Sequence, residues 1–171
     1  KDGGALFTQF SHFIDLMYWF VGDVESVYAF VKNYNHPEID IEDTGVVALK
    51  FKNGATGAIN FTNCAYEKNM EGSITLFGEK GTVKIGGEYL NKLEYQLIEN
   101  YKVANLPRSK GANDYGTYKG SMSNHHKVYE NVVNVLLHNG DIAVGGVDGM
   151  QTVKILEAIY KSAELGREVM L

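Results

Sequence analysis

The chain has 171 residues, and 16 Lys and Arg stand against 21 Asp and Glu, a formal net charge of −5. That acidic balance argues against nucleic acid as a partner, and the single cysteine, Cys64, excludes an internal disulfide and suits a reducing compartment. With no apolar run of about 18 residues and no signal-peptide pattern, the expectation is one packed cytoplasmic domain over residues 1–171 with no membrane partner.

The chain opens abruptly. Lys1-Asp2-Gly3-Gly4 leads straight into an apolar segment, Leu6 to Val21, with neither a Met nor a polar lead-in, which suggests a piece of a longer protein. At the helical period Leu6, Phe10, Phe13, Ile14, Met17 and Phe20 share one broad face. One amphipathic helix is expected here, mostly buried and stopped by Gly22. Thr8, Ser11, His12 and Asp15 form its narrow polar strip, with Trp19 among them.

From Val24 to about Ile98 the period becomes two. Val27, Ala29 and Val31 alternate with Ser26, Tyr28, Phe30 and Lys32; Val47, Leu49 and Phe51 alternate with Ala48, Lys50 and Lys52. Asn53-Gly54 reads as a two-residue hairpin turn with positive φ at both positions, returning through Ile59, Phe61 and Asn63. Further strands are expected at Ser73–Phe77, Thr82–Ile85 and Lys92–Ile98, with a tight turn at Glu79-Lys80-Gly81. Tight turns imply an antiparallel meander.

Residues 99–122 lose all periodicity and carry Lys102, Arg108, Lys110 and Lys119 against Glu99 and Asp114. A loop of this length is usually functional or disordered. Ser123 or Asn124 can cap a following helix in which Val128, Val132 and Leu136, with Tyr129, Val133 and Leu137, repeat at i+4 up to Asn139-Gly140. Asp148 can cap a second, with Val153, Leu156, Tyr160 and Ala163 as its stripe and Gly166 as its stop, before a short strand at Glu168–Met170. The order predicts an α+β fold, a mostly antiparallel sheet with helices packed on one face.

His12 lies four residues after Thr8 and three before Asp15, so the three can meet on one patch. A His beside a carboxylate suits proton transfer near neutral pH. It equally suits a structural pair in which each satisfies the other. His125-His126 at a helix start, with Lys127 and Lys119 nearby in sequence, suits a docked phosphate or carboxylate, or simply a solvated helix end. No metal is expected, because adjacent His residues do not readily share an ion and no Cys or carboxylate cluster completes the set. There is no G-x-G-x-x-G, P-loop or G-x-S-x-G. Eleven Tyr suit either a self-associating sheet face or core.

The segment GGALFTQFSHFIDLMYWFVGDVESV resembles the start of the C-terminal domain of the Gfo/Idh/MocA family of NAD(P)-dependent sugar and cyclitol oxidoreductases, whose fold is glyceraldehyde-3-phosphate-dehydrogenase-like. Gly3, Gly4, His12, Asp15 and Trp19 match that family's G-G-x-x-x-D-x-x-x-H-x-x-D-x-x-x-W helix. EDTGVVALKFKNGATGAINFT and ITLFGEKGTVKI resemble its sheet, and DGMQTVKILEAIYKSAELGREVML its closing helix, so the likeness covers nearly all of the chain. It implies an N-terminal Rossmann domain, absent here, that holds most of the NAD or NADP and supplies a Lys beside His12, the acid/base. It also implies a homo-oligomer formed through the exposed sheet face, and no activity for the chain alone.

One position departs from the pattern. Thr8, followed by Gln9, stands where the family has its Asp. The Thr-Gln pair and the run SNHHKVYENVV are similar to the subgroup that oxidises C3 of UDP-N-acetylglucosaminuronic acid in cell-surface polysaccharide precursor synthesis. That likeness implies a nucleotide-sugar substrate, with Thr8 and Gln9 on sugar hydroxyls and Asp15 fixing the tautomer of His12 or capping backbone donors. Tyr118, Asn124 and His125 would hold the anionic part. A general sugar or inositol dehydrogenase, and a non-catalytic oligomerisation module, remain as alternatives.

Overall fold

The computed structural model describes residues 3–87, 89–106, 113–116, 119–120 and 124–171. In chain order its elements are α1 (Ala5–Thr8), α2 (Ser11–Val21), β1 (Val24–Lys32), β2 (Thr44–Phe51), β3 (Thr56–Thr62), β4 (Ile74–Gly78), β5 (Gly81–Gly86), β6 (Lys92–Ile98), β7 (Asn113–Asp114), β8 (Lys119–Gly120), α3 (His125–His138), α4 (Gly146–Leu165) and β9 (Val169–Met170). Two units result, one from residues 1–65 and 143–171 and the other from 66–142.

The first unit carries an antiparallel sheet in the order β3-β2-β1-β9. Alternation works as the sequence predicts: Val47, Leu49 and Phe51 are buried, while Val46, Ala48 and Lys50 face outward. The inward face packs against α4, whose Ile155, Leu156 and Ile159 are buried, and Leu6 and Ile14 complete the core. A register shift between Val24 and Ser26 places both Val24 and Val27 in that core although they are three residues apart. Only Ser26 and Val27 pair with β9, which leaves the next edge amide exposed to the helix layer. There the Ala29 N–H donates to Ser162 Oγ of α4 at 3.1 Å, and Ser162 in turn donates to the Arg167 carbonyl.

The hairpin at Asn53-Gly54 differs from the expected two-residue turn. Gly54 alone has positive φ, at +89°, and the loop between Phe51 and Ala55 is three residues long, closed by a Gly54 N–H to Phe51 carbonyl bond of 2.9 Å. The Asn53 side chain accepts the Ala55 N–H through Oδ1 and donates to the Val21 carbonyl through Nδ2, tying the end of α2 to the hairpin. Helix α4 starts earlier than expected: Asp148 is not its N-cap but accepts the Gly145 N–H from inside the first turn, at 2.8 Å.

The second unit holds a three-stranded antiparallel sheet, β4-β5-β6, and a small β7-β8 hairpin inside the aperiodic stretch. That stretch is also tied back to β6, because the Gln96 side chain exchanges two hydrogen bonds with the Val103 backbone. Helix α3 runs as predicted to Asn139, which takes the left-handed conformation at φ +50°. Its apolar stripe does not form core. No α3 residue is buried, and Leu136 and Leu137 are more than 70% exposed. A period of 3.6 marks an apolar face but names no partner for it.

Candidate active site

The site candidates of the first unit hang on a two-glycine entry. Gly3 has φ +69°, a conformation open to glycine at little cost. Gly4 has ordinary backbone angles, but a Cβ there would collide with the Glu42 carboxylate. Glu42 is buried, and its Oε1 accepts the Leu6 N–H at 2.8 Å and the Tyr160 hydroxyl at 3.0 Å. Its carbonyl accepts the Ala5 N–H at 3.2 Å. One carboxylate therefore satisfies an orphan amide of α1 and joins that helix to α4. Burial, then the charge of Glu42 and its hydrogen bond, push the Tyr160 phenol well above the usual tyrosine range.

The expected single helix is two. The Ala5 carbonyl accepts from both Gln9 N–H at 2.9 Å and Phe10 N–H at 3.3 Å, and helical bonding restarts with Phe13 N–H to Phe10 carbonyl at 3.0 Å. Thr8 Oγ1 turns back to the Gly4 carbonyl at 2.9 Å, a local bond that competes with helix propagation. The break separates Thr8 and Gln9 from His12 and Asp15 by a bend, and Thr8, Gln9 and His12 are all exposed.

Of α2 only Ile14 is fully buried, so the expectation of a mostly buried helix fails. The helix packs on α4 along one side, and its other side leaves Trp19 74% exposed and Phe20 39%. His12 has its ring 4.7 Å from that of Phe13 and, among the described residues, no hydrogen bond. Partial desolvation lowers its pKa below the ordinary 6.5, which keeps the imidazole neutral at pH 7. Asp15 does not bond to His12. Its Oδ1 accepts the Thr152 hydroxyl of α4 at 2.8 Å, which fixes the side of α2 that faces inward.

In the second unit Asn124 stands at the N-cap of α3 but its side chain caps nothing, and His125 and His126 are exposed in the first turn. Tyr118, Arg108 and Lys110 lie outside the described residues.

The sequence reading missed a grouping at the far end of the first sheet. His36 Nδ1 lies 2.9 Å from Asp43 Oδ2, and a donor atom of Cys64 lies within 4.8 Å of both. Burial alone would raise the Asp43 pKa, but hydrogen bonds from Asn35 N–H, His36, the Cys64 thiol and Tyr34 N–H outweigh it and hold the carboxyl well below the usual range. His36 to Cys64 spans too much chain, and Glu42-Asp43 is too ordinary a pair, for either to stand out by spacing.

The family described as "Oxidoreductase family, C-terminal alpha/beta domain" matches residues 1–171. The WlbA dehydrogenase from Bordetella pertussis, solved in complex with NADH and UDP-GlcNAcA, is 38% identical over 99% of this chain and 46% of its own, with a TM-score of 0.83. Its counterpart from Chromobacterium violaceum, solved with the same two ligands, is 33% identical over 99% of this chain and 46% of its own, at a TM-score of 0.79. A D-apiose dehydrogenase from Rhizobium rhizogenes is 27% identical over 92% of this chain and 46% of its own. The chain thus spans about half the length of these relatives. The α+β architecture, the two-glycine entry and the match over the whole length agree, and the chain belongs to the Gfo/Idh/MocA oxidoreductase family as its C-terminal domain.

Proposed function

We propose that this chain is the substrate-binding and proton-transferring part of an NAD(P)-dependent dehydrogenase that oxidises C3 of a UDP-N-acetylhexosaminuronate. The observation that carries the reading is the 38% and 33% identity, over 99% of the chain, to two dehydrogenases whose structures hold UDP-GlcNAcA. No stretch of the 171 residues has the G-x-G-x-x-G spacing of a dinucleotide cradle. The cofactor site is therefore assigned to a dinucleotide-binding domain outside these residues, and no step is derived through it; the cofactor when bound there supplies the hydride acceptor.

What this chain contributes is proton chemistry and orientation. His12, neutral and without a competing hydrogen bond among the described residues, takes the proton of the hydroxyl being oxidised. Thr8 Oγ1, whose hydrogen goes to the Gly4 carbonyl, accepts from a sugar hydroxyl and the Gln9 amide contacts another, both exposed at the end of α1, while Asp15 holds α2 in place through Thr152. Asn124 and His125, at a helix start with uncapped amides, receive the anionic part of the substrate together with Tyr118. The exposed Trp19 and Phe20 face is the surface assigned to the dinucleotide-binding domain.

The test is nicotinamide reduction by the complete protein on UDP-N-acetylglucosaminuronate, UDP-N-acetylglucosamine, glucose and myo-inositol. The uronate should lead by at least about 100-fold in kcat/KM, since a site built around a charged group strongly rejects analogues lacking it. Turnover confined to free sugars would overturn the nucleotide-sugar assignment and favour the second reading, a free-sugar dehydrogenase, which the D-apiose relative supports.

The outer face of the first sheet is assigned to self-association. Its rows pair Tyr28 with Ala48 and Ala58, and Phe30 with Val46 and Asn60, a surface on which Phe30 is 63% exposed. Phe30→Asp should lower the particle mass measured by light scattering; an unchanged mass would remove this face from the assembly.

A further inference from the structure

We propose that His36, Asp43 and Cys64 form a binding site for a thiophilic divalent cation of the zinc class, a site separate from the dehydrogenase chemistry and independent of that reading. Three different donor types converge here from three points of the chain. His36 comes from the loop between β1 and β2, Asp43 from the residue entering β2, and Cys64 from just beyond β3. Their donor atoms all lie within 4.8 Å of one another.

The scaffold beneath them is rigid. Asp43 and Cys64 sit at adjoining strand ends, and the Asn63 N–H donates to the Asp43 carbonyl at 2.8 Å to lock that pairing. The Asp43 side chain is 5% exposed and its oxygens accept the Tyr34 and Asn35 amides at 2.9–3.1 Å. Outer partners of this kind orient a ligating carboxylate. Thr44 Oγ1 donates to Cys64 Sγ at 3.6 Å, and the Cys64 N–H is held by Thr62 Oγ1 at 3.0 Å. The His36 side chain is 40% exposed, so an ion has an entry path from solvent on that side.

The donor set fits the ion. Zinc binds sulfur at about 2.3 Å and imidazole nitrogen at about 2.0–2.1 Å in tetrahedral array, which puts neighbouring donors roughly 3–4 Å apart. With donors up to 4.8 Å apart, an ion seated among them would require the Cys64 side chain to turn inward and the 2.9 Å His36–Asp43 hydrogen bond to open. Water would take the fourth position, reached from the His36 side, where the side chain is 40% exposed. A mixed nitrogen, oxygen and sulfur set favours zinc or cobalt over magnesium or calcium, which prefer oxygen alone.

The probe is Co(II), added to the complete protein after chelator treatment. Saturable binding of one ion per chain is expected, with visible ligand-field bands and a near-ultraviolet thiolate charge-transfer band, both abolished by added Zn(II). Cys64→Ser should remove the charge-transfer band, and Cys64→Ser and His36→Gln should each weaken binding by at least about tenfold. His138→Gln, at the exposed end of α3, should leave the titration unchanged. Circular dichroism checks that each variant is folded. A wild-type titration without the thiolate band, or a Cys64→Ser protein that binds Co(II) as the wild type does, would show that the cluster is a hydrogen-bonded latch alone.

Discussion

His12→Ala in the complete enzyme should lower kcat by about 10²–10⁴-fold, the usual contribution of a positioned acid/base. Folding stability should move by less than about 0.5 kcal/mol, because the side chain is exposed on a helix and alanine favours that helix. The pH profile gives a second readout. Partial desolvation lowers the His12 pKa below 6.5, so the neutral base persists as the pH falls toward neutrality and somewhat below. In the oxidation direction kcat/KM should therefore rise with pH up to a pKa under 6.5 and then level off, and His12→Ala should abolish that limb. Unchanged turnover in the variant, or an acid limb well above 6.5 in the wild type, would remove His12 from the proton path.

Glu42→Ala should destabilise the protein by about 2–4 kcal/mol, since the Leu6 amide and the Tyr160 hydroxyl both lose their acceptor in a buried place. Glu42→Gln keeps one carbonyl oxygen and should cost less than half as much. Chemical denaturation of the three proteins distinguishes these outcomes; equal stabilities would mean that Glu42 anchors nothing. The same contact has a pH signature. The folded state raises the Tyr160 pKa above its ordinary 10.0, so its contribution is complete below pH 10 and is lost as the pH rises beyond that value. The wild type should lose stability above pH 10 more steeply than Tyr160→Phe. Parallel curves would count against the contact. Gly4→Ala tests the geometry from the other side, since its Cβ competes with the Glu42 carboxylate for one volume.

Both experiments probe residues that differ in how they could be found. His12 belongs to a spaced pattern on one segment, and that pattern is what made it stand out, although the structure turns Asp15 away to Thr152. Glu42 carries no such mark: a carboxylate before a strand is ordinary, and only the packing of α1 and α4 over it turns it into a buried acceptor for Leu6 and Tyr160. The second glycine of the entry is explained by that packing. Gly3 answers to its own φ, whereas Gly4 answers to a side chain 38 positions away.

Most short-range physics was legible, the break after α1 and the three-residue loop at Asn53-Gly54 excepted. Alternation in β1, β2 and β3, glycine at the end of α2, Asn139 after α3 and the order of elements are local properties, and the sequence by itself determined them together with the α+β class and the family. What reached across the chain was decided by tertiary structure. Asp15 pairs with Thr152 because the packing of α2 on α4 brings that hydroxyl to 2.8 Å, and β9 joins β1 from the opposite end of the chain. The α3 stripe shows the same limit in reverse: periodicity marks which face is apolar, but burial depends on a partner, and within its unit α3 buries none of its residues. His36, Asp43 and Cys64 are adjacent only because antiparallel pairing brings the end of β3 beside the start of β2, a consequence of register that no spacing along the chain expresses.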